Sequence, residues 1–221
     1  MACSLFFLSE VKHMSKGVFI TLEGTEGSGK STQLKTIEQY LQQHNRRYIK
    51  VREPGGTPIA EEIRNLLKTP RKDDAMCDTT ELLLMYAARA QLVNTVIKPA
   101  IEQGVDVICD RHDLSTVAYQ GGGRGMDLGE IKAISKVVLG DFKPNLTILL
   151  DIDPIKGMQR AKARGELDRF EQSKMDFFVR VRNTYLECAK QDPNIIKVVN
   201  GDDTLDNVSS HIRKLLDNLY A

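Results

Sequence analysis

Residues 17–34 read GVFITLEGTEGSGKSTQL, and this stretch decides the fold. Its first part, 18–22, is apolar and contains β-branched residues, which predicts a buried strand. Residues 24–31 then match the pattern GxxxxGK[ST] in full, and a helical pattern follows. A strand, a glycine-rich loop and a helix in this order predict a phosphate-binding loop, and with it a site for a nucleoside triphosphate.

The residues of this loop are predicted to have complementary roles in binding phosphate. The glycines let backbone N–H groups turn inward as an anion cradle, the helix N-terminus adds positive potential, and Lys30 adds a mobile charge. Ser31 is expected to ligate Mg²⁺. The predicted ATP-binding residues are Gly24, Thr25, Glu26, Gly27, Ser28, Gly29, Lys30, Ser31 and Thr32.

Glu26 is unusual in such a loop. A carboxylate inside a phosphate cradle repels the ligand unless it points elsewhere. Two alternatives remain open: Glu26 faces a sugar hydroxyl, or it is a solvated acidic residue.

Outward from the loop, four more apolar segments predict strands, at residues 48–51, 105–109, 146–150 and 195–199. Helical spacing separates them, as in 80–101, which is expected to break near Pro99. This alternation predicts an α/β fold of the P-loop NTPase type, with a five-stranded parallel sheet flanked by helices on both faces. Ligands of such sheets bind at the carboxyl ends of the strands.

Length and composition define the domain organisation and exclude several classes of function. A chain of 221 residues fits one domain with a mobile lid. We expect a single domain over 14–221, a lid around 157–171, and a dispensable extension over 1–13. Lys and Arg number 31 against 30 Asp and Glu, so no basic field favours nucleic acid or an anionic membrane.

Apolar runs and cysteines bear on the location of the protein in the cell. The longest apolar run, 82–88, is far shorter than the ~18 residues of a membrane-spanning helix. The four cysteines are too widely spaced for a metal site or a small disulfide scaffold, which predicts a reducing, cytoplasmic location.

Arg64 is a candidate ligand for an anion near the second strand. It lies on the helix that follows the turn at 52–57. The alternative is a surface arginine that pairs with Glu61 or Glu62.

Met85, Tyr86 and Arg89 are candidates for binding a flat base. Their spacing places an apolar group and a planar guanidinium on one helix face. The alternative is that Met85 and Tyr86 belong to the core.

The end of the third strand carries a further cluster of candidates. Asp110 and Arg111 place an acid and a fixed cation where the crevice is expected to open. Thr116 and Gln120 follow, and Gln120 can both donate and accept hydrogen bonds, as a base edge requires.

A basic segment after the fourth strand predicts the lid. Arg160 and Arg164 are four residues apart, so both could reach phosphates from one helix face. The alternative is a solvated basic surface. Because Glu26 leaves the loop without a basic residue of its own before Lys30, the lid interpretation is favoured.

The motifs at 24–31, 52–56, 87–89, 110–112 and 118–125 together resemble the bacterial thymidylate kinase family, over nearly all of the chain from residue 17. The resemblance implies transfer of a phosphoryl group from ATP to dTMP with Mg²⁺, a step in dTTP synthesis. It also implies small-molecule substrates, dTMP and ATP, and a homodimer.

The resemblance also assigns roles to single residues. Many relatives have an aromatic residue at the position of Met85, whereas this chain has Tyr86 one position later, so either side chain could stack on the base. The dTMP-binding residues that it implies are Glu26 near the deoxyribose, Arg64 and Arg111 at the acceptor phosphate, Met85 or Tyr86 on the base face, and Arg89, Thr116 and Gln120 at the thymine edge. The implied catalytic residues are Lys30, Arg111, Arg160 and Arg164, and Asp110 joins Ser31 in holding Mg²⁺, partly through water.

Three other functions are compatible with the phosphate-binding loop alone. They are a kinase for another small acceptor, a nucleotide-dependent switch or motor, and an inactive nucleotide-binding module. The chain has no Asn-Lys-x-Asp motif, which argues against a guanine-nucleotide switch. Lys30, Ser31, Asp110 and Arg111 argue against an inactive module.

Overall fold

The computed structural model describes residues 16–163 and 168–221. Five strands form one parallel sheet in the order β2-β3-β1-β4-β5. Their bounds are β1 Phe19–Glu23, β2 Tyr48–Arg52, β3 Asp106–Asp110, β4 Leu146–Asp151 and β5 Ile196–Asn200. The predicted α/β fold with a five-stranded parallel sheet is therefore confirmed, and each predicted strand lies within about one residue of its place.

Helices cover both faces of this sheet. The α-helices are α1 Lys30–Gln43, α2 Pro58–Lys68, α3 Asp78–Leu92, α4 Lys98–Glu102, α5 Asp113–Thr116, α6 Leu128–Leu139, α7 Pro154–Lys162, α8 Met175–Gln191 and α9 Leu205–Tyr220. Two π-helical segments, Val93–Ile97 and Val117–Gly123, connect α3 to α4 and extend α5.

The two faces of the sheet bury alternate residues of the same strands, as the two-residue period of a strand requires. On one face, Ile20 and Leu22 of β1 pack in a core with residues of α1 and α9. On the other face, Phe19 of β1 packs with Leu92 of α3 and Leu139 of α6. Both faces are thus apolar, which explains why the strands are nearly continuous hydrophobic runs.

The helix that contains Thr80–Ile101 differs in detail from the prediction. It begins at Asp78, and its irregular turn is the π-helical segment Val93–Ile97, which precedes Pro99. Proline lacks an N–H and crowds the carbonyl four residues earlier, so the wider turn falls in the residues before it. The chain remains helical through Glu102.

The glycines around Gly122 let the segment Val117–Gly123 approach α8 closely. A Cβ on Gly122 would lie 2.0 Å from Thr184 Oγ1. This close approach holds the segment that carries Tyr119 and Gln120 against α8. Within the residues that the structure describes, no helix is both long and apolar enough to cross a membrane.

Candidate active site

The carboxyl ends of β1, β2 and β3 meet at one edge of the sheet. Leu22 is in register with Asp110, and Asp110 with Arg52. A cavity of about 490 Å³ opens at this edge. Its lining includes residues 26–32, 52–54 and 110–112 together with Arg64, Lys68, Met85, Arg89, Ser115, Thr116, Tyr119, Gln120, Arg160 and Asp168.

The phosphate-binding loop forms one end of the cavity. Lys30 Nζ donates to the carbonyl oxygens of Gly24 and Thr25, both at 2.9 Å. Burial, together with the nearby Arg111 charge, lowers the pKa of Lys30 to about 8. Gly24 and Thr25 therefore lie behind the cavity wall and hold the lysine, whereas residues 26–32 line the cavity.

The glycine at position 27 is required by close packing. It has a φ of +68°, and a Cβ there would lie 2.1 Å from the Gly157 carbonyl oxygen. The loop thus rests directly on the backbone of α7, which carries Arg160. Ser31 and Thr32, in the first turn of α1, are exposed toward the cavity.

Glu26 is nearly buried and paired, so it is not a freely solvated residue. Both of its carboxylate oxygens accept from the Tyr119 hydroxyl, at 2.7 and 2.8 Å, and Oε1 also accepts from Arg111 Nη2 at 3.0 Å. A loop carboxylate is tolerated here because a guanidinium neutralises it.

Arg111 occupies the centre of the cavity in a left-handed backbone conformation, with a φ of +70°. Its guanidinium donates to Ser115 Oγ at 3.2 Å and to the hydroxyls of Tyr119 and Tyr185 at 3.0 and 3.3 Å. Burial opposes its charge, yet the surrounding phenol and carboxylate groups raise the pKa of Arg111 well above its usual value. The guanidinium is therefore a fixed cation between the loop and the far end of the cavity.

Arg89 marks the far end of the cavity and is only 2% exposed. Its Nε donates to Glu53 Oε2 at 2.7 Å, and its Nη2 donates to Thr116 Oγ1 and the His112 carbonyl oxygen. Nη1 donates to Asp113 Oδ1 at 3.1 Å. Although burial opposes the charge, the two carboxylates raise the pKa of Arg89.

Gln120 lines the same end of the cavity and is held by a buried carboxylate. Its Nε2 donates to Glu81 Oε1 at 2.7 Å. Glu81 also accepts from Arg124 Nη2 at 3.1 Å and forms an ion pair with Arg169 Nη1 at 2.6 Å. Glu81 is fully buried and joins the base of the predicted lid to α3.

The structure distinguishes Met85 from Tyr86. Met85 lines the cavity, whereas Tyr86 is 2% exposed and packs in a core cluster with Leu82 and Ile131. Tyr86 is not brought to the cavity; its ring instead lies 4.8 Å from the Arg89 guanidinium carbon and supports it from behind.

Arg64 lies on the cavity wall near the second strand. Its Nη1 donates to the Pro54 carbonyl oxygen at 2.6 Å. Glu61, one of the two partners considered from the sequence, pairs instead with Arg52 at 2.9 Å. Burial and the nearby Arg52 charge lower the pKa of Arg64 and outweigh the attraction of the surrounding carboxylates.

The predicted lid is described in part. Arg160 lines the cavity with a half-exposed side chain, and its Nη2 donates to Asp202 Oδ1 at 3.2 Å. Arg164 lies outside the described residues, as does the extension 1–13. Farther along, Arg169 Nε donates to the Leu67 carbonyl oxygen, and Lys68 pairs with Asp168 at 2.6 Å. This part of the segment therefore rests on the C-terminal end of α2.

Ser31 and Asp110 fit a divalent cation bound through phosphate and water. Both line the cavity, and Asp110 Oδ1 is buried with no hydrogen-bond partner in the part of the chain that the structure describes. Oxygen ligands of this kind suit Mg²⁺, which usually keeps several waters and takes one or two protein ligands beside substrate phosphates. No cluster of three or more His, Cys, Asp or Glu side chains suited to a metal ion occurs among the described residues.

Sequence reasoning missed the carboxylates that hold these cations. Glu23 accepts from the His112 backbone N–H at 2.7 Å and from the Tyr185 hydroxyl at 2.9 Å. Glu53 accepts from Arg89 and from His112 Nδ1. Two sequence signals could have identified these residues. Glu23 ends a strand and Glu53 directly follows one, and Glu81 is a single charge beside the apolar run 82–88.

A phosphate-binding loop and a second cluster of buried cations in one cavity define a P-loop kinase whose acceptor is itself anionic. A family model described as thymidylate kinase matches residues 22–212. The thymidylate kinase of Pseudoalteromonas translucida is 50% identical over 206 residues, covering 93% of this chain and 98% of the relative. That of Colwellia psychrerythraea is 53% identical over 185 residues, covering 84% and 87%.

Solved structures lead to the same family. The crystal structure of thymidylate kinase from Ehrlichia chaffeensis matches with a TM-score of 0.74 and 33% identity, covering 91% of this chain and 99% of that chain. The chain belongs to the thymidylate kinase family. The predicted fold, the kinase class and the reaction, phosphorylation of dTMP, are thereby confirmed.

Proposed function

We propose that the cavity binds ATP at the phosphate-binding loop and dTMP at the Arg89 end, and that phosphoryl transfer takes place beside Arg111. The observation that carries this assignment is the continuity of the cavity. One space of about 490 Å³ is lined at one end by residues 26–32 and at the other by Met85, Arg89 and Gln120.

The reaction needs no general base. The second pKa of a phosphate monoester is near ~6, so the acceptor phosphate is already largely dianionic at neutral pH. An oxygen of dTMP attacks the γ-phosphorus of ATP, the bond to the bridging oxygen breaks, and dTDP and ADP form. The main obstacle is the roughly six negative charges that the two nucleotides bring together.

The countercharges are supplied along the length of the cavity. Lys30 serves the donor phosphates, Arg111 lies between donor and acceptor, and Arg64 is assigned to the acceptor phosphate. Arg160 reaches the cavity from α7, and Arg164 is proposed to act with it from the lid. The ion pair with Glu26 fixes the Arg111 guanidinium when the two nucleotides bind. Glu26 itself is assigned to the deoxyribose of dTMP.

Mg²⁺ is proposed as the cofactor, held by Ser31 and Asp110. A bound divalent cation would offset charge on the phosphate oxygens. The buried, unpartnered Asp110 Oδ1 supports this assignment. Asp110→Asn is expected to raise the Mg²⁺ concentration needed for half-maximal rate, and an unchanged requirement would remove Asp110 from this role.

The base of dTMP is assigned to the space beside Met85. The thioether provides an apolar surface against the ring, and Arg89, Thr116 and Gln120 provide polar groups at its edge. Tyr86 supports Arg89 and does not itself contact the base in this proposal.

The proposed function is tested by a coupled ADP-release assay over a panel of nucleoside monophosphates. Release is expected to depend on dTMP and to be at least ~10-fold slower with dAMP or dGMP, because the base end of the cavity holds a flat pyrimidine. Equal release with and without a monophosphate would overturn the proposal.

We also propose that the chain forms a homodimer through α2 and α3. Ile59 and Leu66 of α2 and Leu83 of α3 are large apolar side chains that remain exposed on these adjacent helices. Burial of such side chains favours association. Leu83→Glu is expected to shift the mass measured by light scattering toward the monomer, and an unchanged mass would argue against this face.

A cytoplasmic location is proposed from the thiols. Cys77, Cys109 and Cys188 are free in the part of the chain that the structure describes. Free cysteines are typical of a reducing compartment.

A further inference from the structure

Gln120 lines the cavity, and Glu81 holds its amide nitrogen. Its side-chain amide lies beside Glu81, with Nε2 2.7 Å from Glu81 Oε1. A carboxylate accepts hydrogen bonds and has none to donate, so the NH₂ group of Gln120 must face it. The amide orientation is therefore fixed by chemistry. The Gln120 Oε1 atom faces away from Glu81 and has no hydrogen-bond donor within residues 16–163 and 168–221.

Glu81 keeps its negative charge in the core. It is fully buried, and burial favours the neutral acid. Hydrogen bonds from Arg124 and Gln120 and the charge of Arg169 outweigh that effect and lower the pKa of Glu81 below its ordinary value. Glu81 is thus an acceptor at neutral pH, and Gln120 cannot turn over without placing its own carbonyl against a carboxylate.

Arg89 supplies a donor beside this acceptor. A guanidinium carries five N–H groups. Four of them have partners among Glu53, Asp113, Thr116 and the His112 carbonyl, and one N–H on Nη1 remains. Thr116, which contacts Arg89, precedes Gln120 by about one helical turn. The two residues that carry this acceptor and this donor, Gln120 and Arg89, both line the cavity.

We propose that Glu81 is a positioning residue that makes the site select pyrimidines with a 4-keto group over those with a 4-amino group. Thymine and uracil present an N3–H donor beside a C4 carbonyl acceptor, which matches Gln120 Oε1 and the remaining Arg89 N–H. Cytosine presents an N3 acceptor beside a 4-amino donor, so acceptor meets acceptor and donor meets donor. This inference rests on the proposed placement of the base between Met85, Arg89 and Gln120.

The experiment compares kcat/KM for three acceptors with the full-length protein and its Glu81→Gln variant. The acceptors are dTMP, 5-methyl-dCMP and dUMP. The second differs from dTMP only at the edge that Gln120 is proposed to read. The third lacks the methyl group but keeps the keto edge, so it is the matched control substrate.

In the unaltered protein, 5-methyl-dCMP is expected to be at least ~10³-fold poorer than dTMP, because buried polar groups would be left unpaired. In Glu81→Gln the new amide can either donate or accept, so Gln120 can reverse. The ratio of 5-methyl-dCMP to dTMP is then expected to rise at least ~10-fold, and the ratio of dUMP to dTMP to stay within ~2-fold.

Two further variants separate positioning from structure. Glu81→Asp keeps a group that only accepts, so it is expected to retain most of the discrimination even if both rates fall. Arg124→Lys keeps a positive charge beside the Glu81 carboxylate, so it should leave the ratio of 5-methyl-dCMP to dTMP within ~3-fold of its original value. A purely structural role for Glu81 would instead lower the rates with all three acceptors together.

The possible results test three statements separately: the role of Glu81, the keto selection and the proposed function. An unchanged ratio in folded Glu81→Gln protein would overturn the role of Glu81. If that variant does not fold, the unaltered protein still decides: kcat/KM for 5-methyl-dCMP within ~3-fold of that for dTMP would overturn the proposed keto selection. No turnover of dTMP by the unaltered protein would overturn the proposed function itself.

Discussion

The two ends of the cavity are built by different means. At the loop end, the lining residues 26–32 are consecutive in sequence, and Ser31 and Thr32 are exposed. At the base end, Arg89 and Gln120 are buried and depend on Glu53 and Glu81, which lie 36 and 39 residues away in sequence. In the proposed function, a local motif therefore binds the triphosphate, whereas side chains that distant carboxylates orient bind the base.

The largest expected effect comes from removing a positive charge at the loop end of the cavity alone. Lys30→Ala is expected to lower kcat by on the order of 10³-fold, because a countercharge to the donor phosphates is lost. The dissociation constant of dTMP, measured by calorimetry, should change less than ~3-fold, since the phosphates of dTMP are served by other cations. Lys136→Ala, in an exposed ion pair with Asp141, is the matched control and should change neither quantity. Losses of equal size in kcat and dTMP binding would contradict this separation.

The next effect concerns the carboxylates behind the two ends. Glu53→Gln is expected to lower the free energy of unfolding by about 3 kcal/mol, because the buried Arg89 guanidinium loses one of its two carboxylate partners. Glu23→Gln should cost less at neutral pH, since burial raises the pKa of Glu23 and already disfavours its charged form. Urea titrations of both variants measure the difference. Equal losses in the free energy of unfolding would contradict this difference between the two carboxylates.

The same pair predicts opposite dependences on pH. Burial opposes the charge of Glu53, but Arg89 and His112 lower its pKa below 4.5. The stabilisation from Glu53 is therefore complete above pH 4.5 and is lost as the pH falls through the folded-state pKa. The pKa of Glu23 is raised above 4.5, so its contribution is complete below pH 4.5 and is lost as the pH rises through its folded-state pKa. The cost of Glu53→Gln should accordingly shrink in acid, as urea titrations at several pH values would measure. A cost independent of pH would contradict the assignment.

A smaller effect tests the apolar surface at the base end. Met85→Ala is expected to raise KM for dTMP about tenfold, because the base loses an apolar contact, and to leave KM for ATP unchanged. Tyr86→Phe is the control, since it keeps the buried ring and removes a hydroxyl whose bond to the Ile131 carbonyl oxygen is long, at 3.4 Å. It should change neither constant. A larger rise in KM with Tyr86→Phe than with Met85→Ala would reverse the assignment of the two residues.

The difference between the two ends also explains what could be predicted from the sequence. The strands and the loop follow from local patterns, so residues 18–22 and 24–31 were placed correctly. The partner of Arg89 could not be predicted, because Glu53 reaches it only through the pairing of β2 with β3 and the packing of α3. Tyr86 and Met85 are adjacent in sequence, and only the rotation of α3 against its neighbours decides which one lines the cavity.

The base-reading residues show the same limit. Gln120 was identified as a candidate from its type and its family resemblance, but the orientation of its amide depends on Glu81. Glu81 lies in an apolar stretch and has no motif of its own. Its role follows only from three-dimensional contacts with Gln120, Arg124 and Arg169.

The central claim is that one cavity holds both nucleotides, phosphate to phosphate. It is tested most directly by inhibition with a single compound in which thymidine and adenosine are joined through a chain of phosphates. We expect this compound to compete with ATP and with dTMP, and to bind more tightly than either substrate. Competition with only one of the two substrates would contradict the claim.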